Sequence, residues 1–309
     1  MKKLEIIGYG TAFPKNTVKF GNDIRYKIEK SETQLELAVE ACKKAIKKSE
    51  ISIEEIDCIV WASAVGVQPI PCTAALIHER IAFGTDIPAL DINTTCTSFI
   101  TALDMMSYLI EAGRYKTVLI VSCDVASIAL NPEQKESYEL FSDGGAAVIL
   151  RQSEKDKGII SAIQKTWSEG AHSTEIRGGL SNLHPKNYSG KTEKEFMFDM
   201  NGKTVLSLSI KKIPDMVKEF LHKGNITIDD IDMVIPHQAS MAMPFVMEKL
   251  GIPQKKYINL VREHGNMVSA SVPVTLCTAF DRGIIKSGDI ILLIGTAAGL
   301  TTNLVIMKI

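Results

Sequence analysis

No hydrophobic run in the 309-residue chain approaches the roughly 18 apolar residues of a membrane-spanning helix. The N-terminus, MKKLEIIGYG, carries two lysines but too short an apolar run for a secretory signal core. A cytoplasmic protein without membrane insertion is the expectation. Net charge is lacking too: 35 Lys and Arg against 36 Asp and Glu leave −1. No global field therefore recommends nucleic acid or an anionic surface as partner. The six cysteines (Cys42, Cys58, Cys72, Cys96, Cys123, Cys277) form no CxxC pair and have no histidines at zinc-ligand spacing. Reduced thiols, no disulfide framework and no metal are expected.

What is present is an internal echo. Residues 52–60 read SIEEIDCIV and residues 227–235 read TIDDIDMVI, each after a helix-like segment. The strand-like VLIVSCDVAS is answered in the same order by ILLIGTAAG. Two matches in one order suggest a duplicated α/β unit, with a first half at 1–165 and a second at 166–309. Ser31-Glu32-Thr33-Gln34 has capping-box spacing, and Leu35, Val39, Cys42 and Ile46 follow at helical period. Short β-rich runs (CIVWA, TVLIVS, AAVIL, MVIP, IILLIG) alternate with such helices, which predicts buried, largely parallel strands. Asp143-Gly144-Gly145 reads as a hairpin turn. Residues 165–200 are polar and aperiodic, a long surface excursion that is either a cap over a site or inert.

Chemistry concentrates at four places. In DINTTCTSFI a strand-like run ends at Cys96 and an amphipathic pattern begins. A free cysteine is commonly a small buried side chain. At a helix N-terminus, however, unpaired N–H groups favour thiolate over thiol and offer donors to an oxyanion, as at a nucleophile elbow. His237, in IPHQAS, falls beyond the end of an apolar strand, where ligands of α/β sheets bind, although a hydrogen-bonded core histidine fits the same pattern. Gly265-Asn266 reads first as a turn; in a site, Asn266 supplies a neutral amide donor. IGTAAGLTT, residues 294–302, is a tight turn or a place where backbone N–H groups approach a reacting carbonyl.

Taken together, Cys96 at a helix start, PHQAS, GN followed by SASVP, and the small-residue loop resemble the β-ketoacyl-acyl-carrier-protein synthase III family of the thiolase superfamily. GYGTAFP, PIPCTAALIHERI, FSDGGAAVIL and FDMNGKTV extend the likeness along nearly the whole chain. The resemblance implies an α/β thiolase fold, two duplicated halves in a five-layered α-β-α-β-α arrangement. It implies an acyltransferase in which Cys96 takes an acyl group from a thioester. A malonyl thioester then loses carbon dioxide, and its enolate attacks the acyl-cysteine in a Claisen condensation. By position His237 and Asn266 hold the malonyl thioester oxygen, and the backbone N–H groups of Cys96 and Ala298 form the oxyanion hole, Ala298 standing where the family usually has glycine.

Further expectations come from the same resemblance: a homodimer in which Ile70 closes the neighbouring subunit's acyl pocket, acyl carrier protein as partner, and no cofactor beyond the thioester substrates. The family's coenzyme A segment is shortened here to NTVKFGNDIRYKIEKSETQ, with Arg25 its one arginine. A carrier-docking arginine is replaced by Ala242, which leaves Lys211, Lys212 or Lys249 for docking. Coenzyme A and carrier protein both stay open as acyl donor. Two alternatives remain at this level: an acyltransferase passing the group to an oxygen, nitrogen or other carbon acceptor, and a non-catalytic acyl-binding or partner subunit.

Overall fold

A computed structural model describes residues 1–309. The first part of the chain forms β1 (Lys2–Ala12), a hairpin of β2 (Thr17–Phe20) and β3 (Asp23–Tyr26), α1 (Gln34–Ser49), β4 (Cys58–Trp61), α2 (Thr73–Ile81), β5 (Ala89–Asp91), α3 (Ser98–Glu111), β6 (Thr117–Asp124), α4 (Lys135–Leu140) and β7 (Gly144–Gln152). Then come β8 (Gly158–Thr166), the ribbon strands β9 (Thr174–Glu175) and β10 (Asp199–Met200), α5 (Gly202–Gly224), β11 (Met233–Pro236), α6 (Met243–Lys249), α7 (Val261–His264), α8 (Ser271–Asp281), β12 (Ile290–Ala297) and β13 (Thr301–Lys308).

Strand pairing runs β11-β12-β13-β8-β1-β7-β6-β4-β5. The β8–β1 link consists only of Lys2 opposite Ile159 and Lys3 opposite Gly158, so the strands act as two sheets, with β8 belonging to the second. The echoed sequences take equivalent places: β4 lies parallel to β6, and β11 parallel to β12. Even the edge strand β5 has a counterpart, the parallel bridge of Tyr257 to Val234.

Each central strand is apolar on both faces, because each sheet is covered on both sides. Val118 and Ile120 of β6, and Val305 and Met307 of β13, turn inward to a shared core with Phe99, Leu103 and Met106 of α3 and Val272 and Leu276 of α8. Leu119 and Val121 face outward to α1 and α2. Leu304 and Ile306 face outward to Ile213, Val217 and Phe220 of α5 and Met247 of α6. The result is five layers, outer helices, sheet, α3 with α8, sheet, outer helices. This is the thiolase arrangement.

Three local expectations need correction. The strands are not largely parallel: β1, β7, β8 and β13 all pair antiparallel, and for β12 with β13 the reason is the direct return, since only antiparallel neighbours can share so short a connection. Thr33, not Ser31, caps α1, accepting from the Glu36 N–H at 3.2 Å, while Glu32 is held in the preceding loop by the N–H groups of Lys15 and Glu29. Asp143-Gly144-Gly145 is no hairpin turn; Gly144 opens β7, and the buried Asp143 carboxylate accepts from the N–H groups of Ile28 and Ser127.

The buried stripe of α1 is mostly small, with Ala38, Ala41, Cys42 and Ala45. This lets the helix lie directly on β1, where a Cβ at Gly10 would stand 2.5 Å from Lys44 Cβ and 2.7 Å from Ala41 O. No helix is long and apolar enough to cross a membrane.

Candidate active site

The carboxyl ends of the central strands and the N-termini of α3 and α8 meet around one cavity of about 680 Å³. Cys96, His237, Asn266 and Ala298 all line it. Sequence separation is bridged by the two sheets: Cys96 belongs to the first half, the other three to the second.

Cys96 sits in a single 3-10 turn, Thr95–Thr97, that leads into α3. Thr95 adopts φ +52°, a left-handed conformation costly for a β-branched residue. Its N–H is held by Asn93 Oδ1 at 2.8 Å, and the Thr94 N–H donates to Ser98 Oγ at 3.0 Å. The backbone N–H groups of Ala298 and Cys96 lie near the Cys96 sulfur and favour its ionised form. The two N–H groups expected to form the oxyanion hole thus lie beside the Cys96 sulfur.

The expectation of a resting thiolate is not met. Burial pushes the Cys96 thiol up to about 12, and the Asp124 charge adds to the effect against the two N–H donors. A helix N-terminus contributes typically 0.3–1 kcal/mol, less than one pKa unit, whereas desolvation can shift a buried group by about 3–5 units. Desolvation wins, and Cys96 rests as a thiol.

His237 follows the end of β11, as its place after MVIP required, and is 6% exposed. Burial lowers it to about 4, so it is a neutral imidazole at neutral pH. Its Nδ1 is buried without a hydrogen-bond partner in the protein. Gly295 on β12 makes room beside it: a Cβ there would stand 3.0 Å from Thr97 Cγ2 and 3.7 Å from His237 Cβ. Asn266 Oδ1 accepts from the Val268 N–H at 2.9 Å, and one hydrogen of its amide goes to Ala239 O at 3.2 Å. The second amide hydrogen is left for the cavity. Gln238 is structural, accepting from the Leu260 N–H at 2.7 Å.

The excursion at 165–200 is a wall of the cavity. Gly170, Thr174, Ile176 and Leu180 line it, with Val205 and Leu208 of α5 behind them. Leu130, Phe141, Phe198 and Leu300 complete an apolar lining suited to a hydrocarbon chain.

Other expected residues lie elsewhere. Ile70 is 84% exposed and does not line this chain's cavity, although Val65 to Pro69 do. Lys211 is exposed on α5, Lys212 is paired with Glu169 at 2.9 Å, and Lys249 lies 5.4 Å from the centre of the Phe245 ring. Arg25 is 1% exposed, donating to the carbonyls of Glu139 (2.8 Å), Ile24 (2.6 Å) and Val261 (3.0 Å). It ties the β2–β3 hairpin to α7 and is not available to a phosphate.

Two cavity residues, Asn93 and Asp124, and the neighbouring Ser269 escape the sequence reading. The signal was present: NTTCTS at 93–98 and NMVSAS at 266–271 share Asn and Ser at both ends, and Asp124 closes an otherwise apolar strand.

Residues 90–167 match the family described as 3-oxoacyl-[acyl-carrier-protein] synthase III, and residues 221–309 match its C-terminal part. A beta-ketoacyl-[acyl-carrier-protein] synthase III from Clostridium perfringens is 34% identical over the full length of both chains. One from Aquifex aeolicus is 29% identical over 98% of this chain and 99% of its own. The crystal structure of 3-oxoacyl-[acyl-carrier-protein] synthase III from Aquifex aeolicus superposes with a TM-score of 0.88 at 26% identity, covering 99% of this chain and 100% of that one. The priming beta-ketosynthase of the R1128 polyketide pathway, 21% identical, shares the fold with a TM-score of 0.89, covering 99% of this chain and 96% of its own. With fold, full-length identity and the ordered Cys, His and Asn in agreement, this chain belongs to the 3-oxoacyl-[acyl-carrier-protein] synthase III family.

Proposed function

We propose that this protein is a condensing enzyme that joins an acyl thioester to a malonyl thioester and releases a 3-oxoacyl thioester and carbon dioxide. The observation that carries the reading is the convergence of Cys96, His237, Asn266 and the Ala298 N–H in one apolar cavity. Cys96 sulfur attacks the acyl carbonyl, the bond to the donor's sulfur breaks, and the thiol proton leaves with the donor thiol. Because Cys96 rests protonated, its proton must depart in step with this exchange. Sulfur then serves again as leaving group, which an alkoxide could not do as readily.

In the second half-reaction the malonyl carbon–carbon bond breaks, carbon dioxide departs, and the electron pair moves onto the thioester oxygen. A neutral His237 N–H and the free Asn266 amide hydrogen are donors fitted to that developing charge. The enolate carbon attacks the acyl-cysteine, the N–H groups of Cys96 and Ala298 hold the tetrahedral oxyanion, and collapse expels Cys96 thiolate, which takes up a proton from solvent to restore the resting thiol. Side chains and thioester substrates suffice for every step, with no further cofactor.

We place the enzyme in the cytoplasm as a homodimer, with the exposed Ile70 capping the neighbouring subunit's pocket. We propose acyl carrier protein as the malonyl carrier, in line with the relatives' names, docking against the exposed Lys211 and Lys249 more than the paired Lys212. The burial of Arg25 removes the one arginine of the coenzyme A segment and favours a carrier-bound acyl donor.

The test is incubation with acyl and malonyl thioesters, reading the 3-oxoacyl product, carbon dioxide and the mass added to Cys96. Acyl transfer without carbon dioxide would favour an acyltransferase with another acceptor. An unmodified Cys96 with every donor, or an adduct that persists in Cys96→Ala, would overturn the assignment.

A further inference from the structure

The two halves build the same elbow twice. Asn93 and Asn266 each accept from the N–H two residues on, at 2.8 and 2.9 Å. Thr95 and Val268 both take φ +52°. The N–H groups of Thr94 and Met267 donate to Ser98 Oγ and Ser271 Oγ at 3.0 and 2.9 Å. In this register Ser269 is the counterpart of Cys96.

The partners cross between halves. Cys96 lies near the Ala298 N–H, just past the end of β12, and Ser269 donates to Asp124, the last residue of β6. Asp124 is 2% exposed. One carboxylate oxygen accepts from the Ser269 N–H at 3.0 Å and from Ser269 Oγ, and the other accepts from the Ala64 N–H at 3.2 Å. No lysine or arginine pairs with it. A buried carboxylate facing only neutral donors is costly to keep. It also opposes ionisation of Cys96, the group that must become a nucleophile.

We infer that Asp124 is a positioning residue for the decarboxylation half-reaction, fastening the second elbow to the loop that follows β4 and so fixing the Asn266 amide opposite Cys96. The inference rests on the proposed condensing activity. The path is short: Asp124 holds Ser269, Ser269 follows Val268, and the Val268 N–H holds Asn266 Oδ1. A neutral group has fewer acceptors for the same three donors, which accounts for a carboxylate despite its effect on the thiol. Cys96 and Cys123 are the titratable groups its charge reaches.

The two consequences have opposite signs, and a merely structural residue would not separate them. In Asp124→Asn the charge beside Cys96 is gone and one acceptor is lost. Alkylation of Cys96 by iodoacetamide at mildly alkaline pH, mapped to its own peptide, should quicken about three- to tenfold, as for half to one pKa unit. Conversion of a malonyl thioester to the acetyl thioester and carbon dioxide should slow about tenfold or more as Asn266 loses its place. Ser269→Ala keeps the carboxylate, so it should slow decarboxylation without quickening alkylation, and it serves if Asp124→Asn does not fold. Both reactions slowing together in Asp124→Asn, or unchanged decarboxylation in either variant, overturns the inference alone. A wild-type enzyme that releases no carbon dioxide overturns the functional reading and the inference with it.

Discussion

The Ala298 N–H, just past the end of β12, lies near the Cys96 sulfur, in the turn that leads into α3 in the opposite half. In the proposed reaction the donors for the acyl-cysteine oxyanion are backbone groups, in place before substrate arrives. Those proposed for the enolate are side chains, His237 and Asn266, which line the same cavity.

This division predicts separable half-reactions. His237→Ala and Asn266→Ala should each lower malonyl decarboxylation by about 10² to 10³, the usual effect of deleting one oxyanion donor. Acylation of Cys96, followed by intact mass, should survive in both. Loss of acylation in either variant would tie that side chain to the nucleophile instead.

The buried His237 predicts a pH dependence of stability. Its pKa falls from 6.5 to about 4 on folding. The unfolded chain then binds the proton more readily, so stability is full above 6.5 and is lost as pH falls toward 4. Between about pH 7 and about pH 5 the wild type should lose about 2 kcal/mol more than His237→Gln, measured by denaturant titration at both values. Asp124, raised to about 6, has the opposite sign below 6, but it is common to both proteins and cancels.

Arg25 predicts a stability defect and no binding defect. Arg25→Met removes the donor from three carbonyls at once and should cost about 2–4 kcal/mol, read as a lower Tm. The KM for a coenzyme A thioester should stay within about twofold, since a uniform binding contact would raise KM alone.

Ile70 predicts dependence on a second subunit. Ile70→Asp puts a charge on an 84% exposed apolar side chain, where it should leave the monomer fold intact. Light scattering should show a dimer weakened toward monomer, and the preferred acyl chain length should shift. An unchanged dimer with unchanged chain preference would remove Ile70 from the interface.

Much of this architecture is legible in the chain. Two-sided apolar strands such as TVLIVS imply sheets covered on both faces, and the echo of SIEEIDCIV in TIDDIDMVI corresponds to β4 and β11 in equivalent places. Cys96, His237 and Asn266 are each readable because each follows a strand end or opens a helix, positions that sequence spacing reports directly. The mixed strand directions were not legible, since apolar runs look alike in parallel and antiparallel neighbours.

The sequence by itself determined the residue types at the strand ends, the order Cys, His, Asn, and the duplication that brings them to one cavity. Tertiary structure alone decided their state. Burial, not the helix start, sets the thiol of Cys96 and the neutrality of His237. Contacts between the halves give Asp124 to Ser269 and Ala298 to Cys96, and packing turns Arg25 from a candidate phosphate ligand into a staple. The physical reason is that desolvation and cross-half hydrogen bonds depend on which distant segments share an interior, and local spacing carries no record of that.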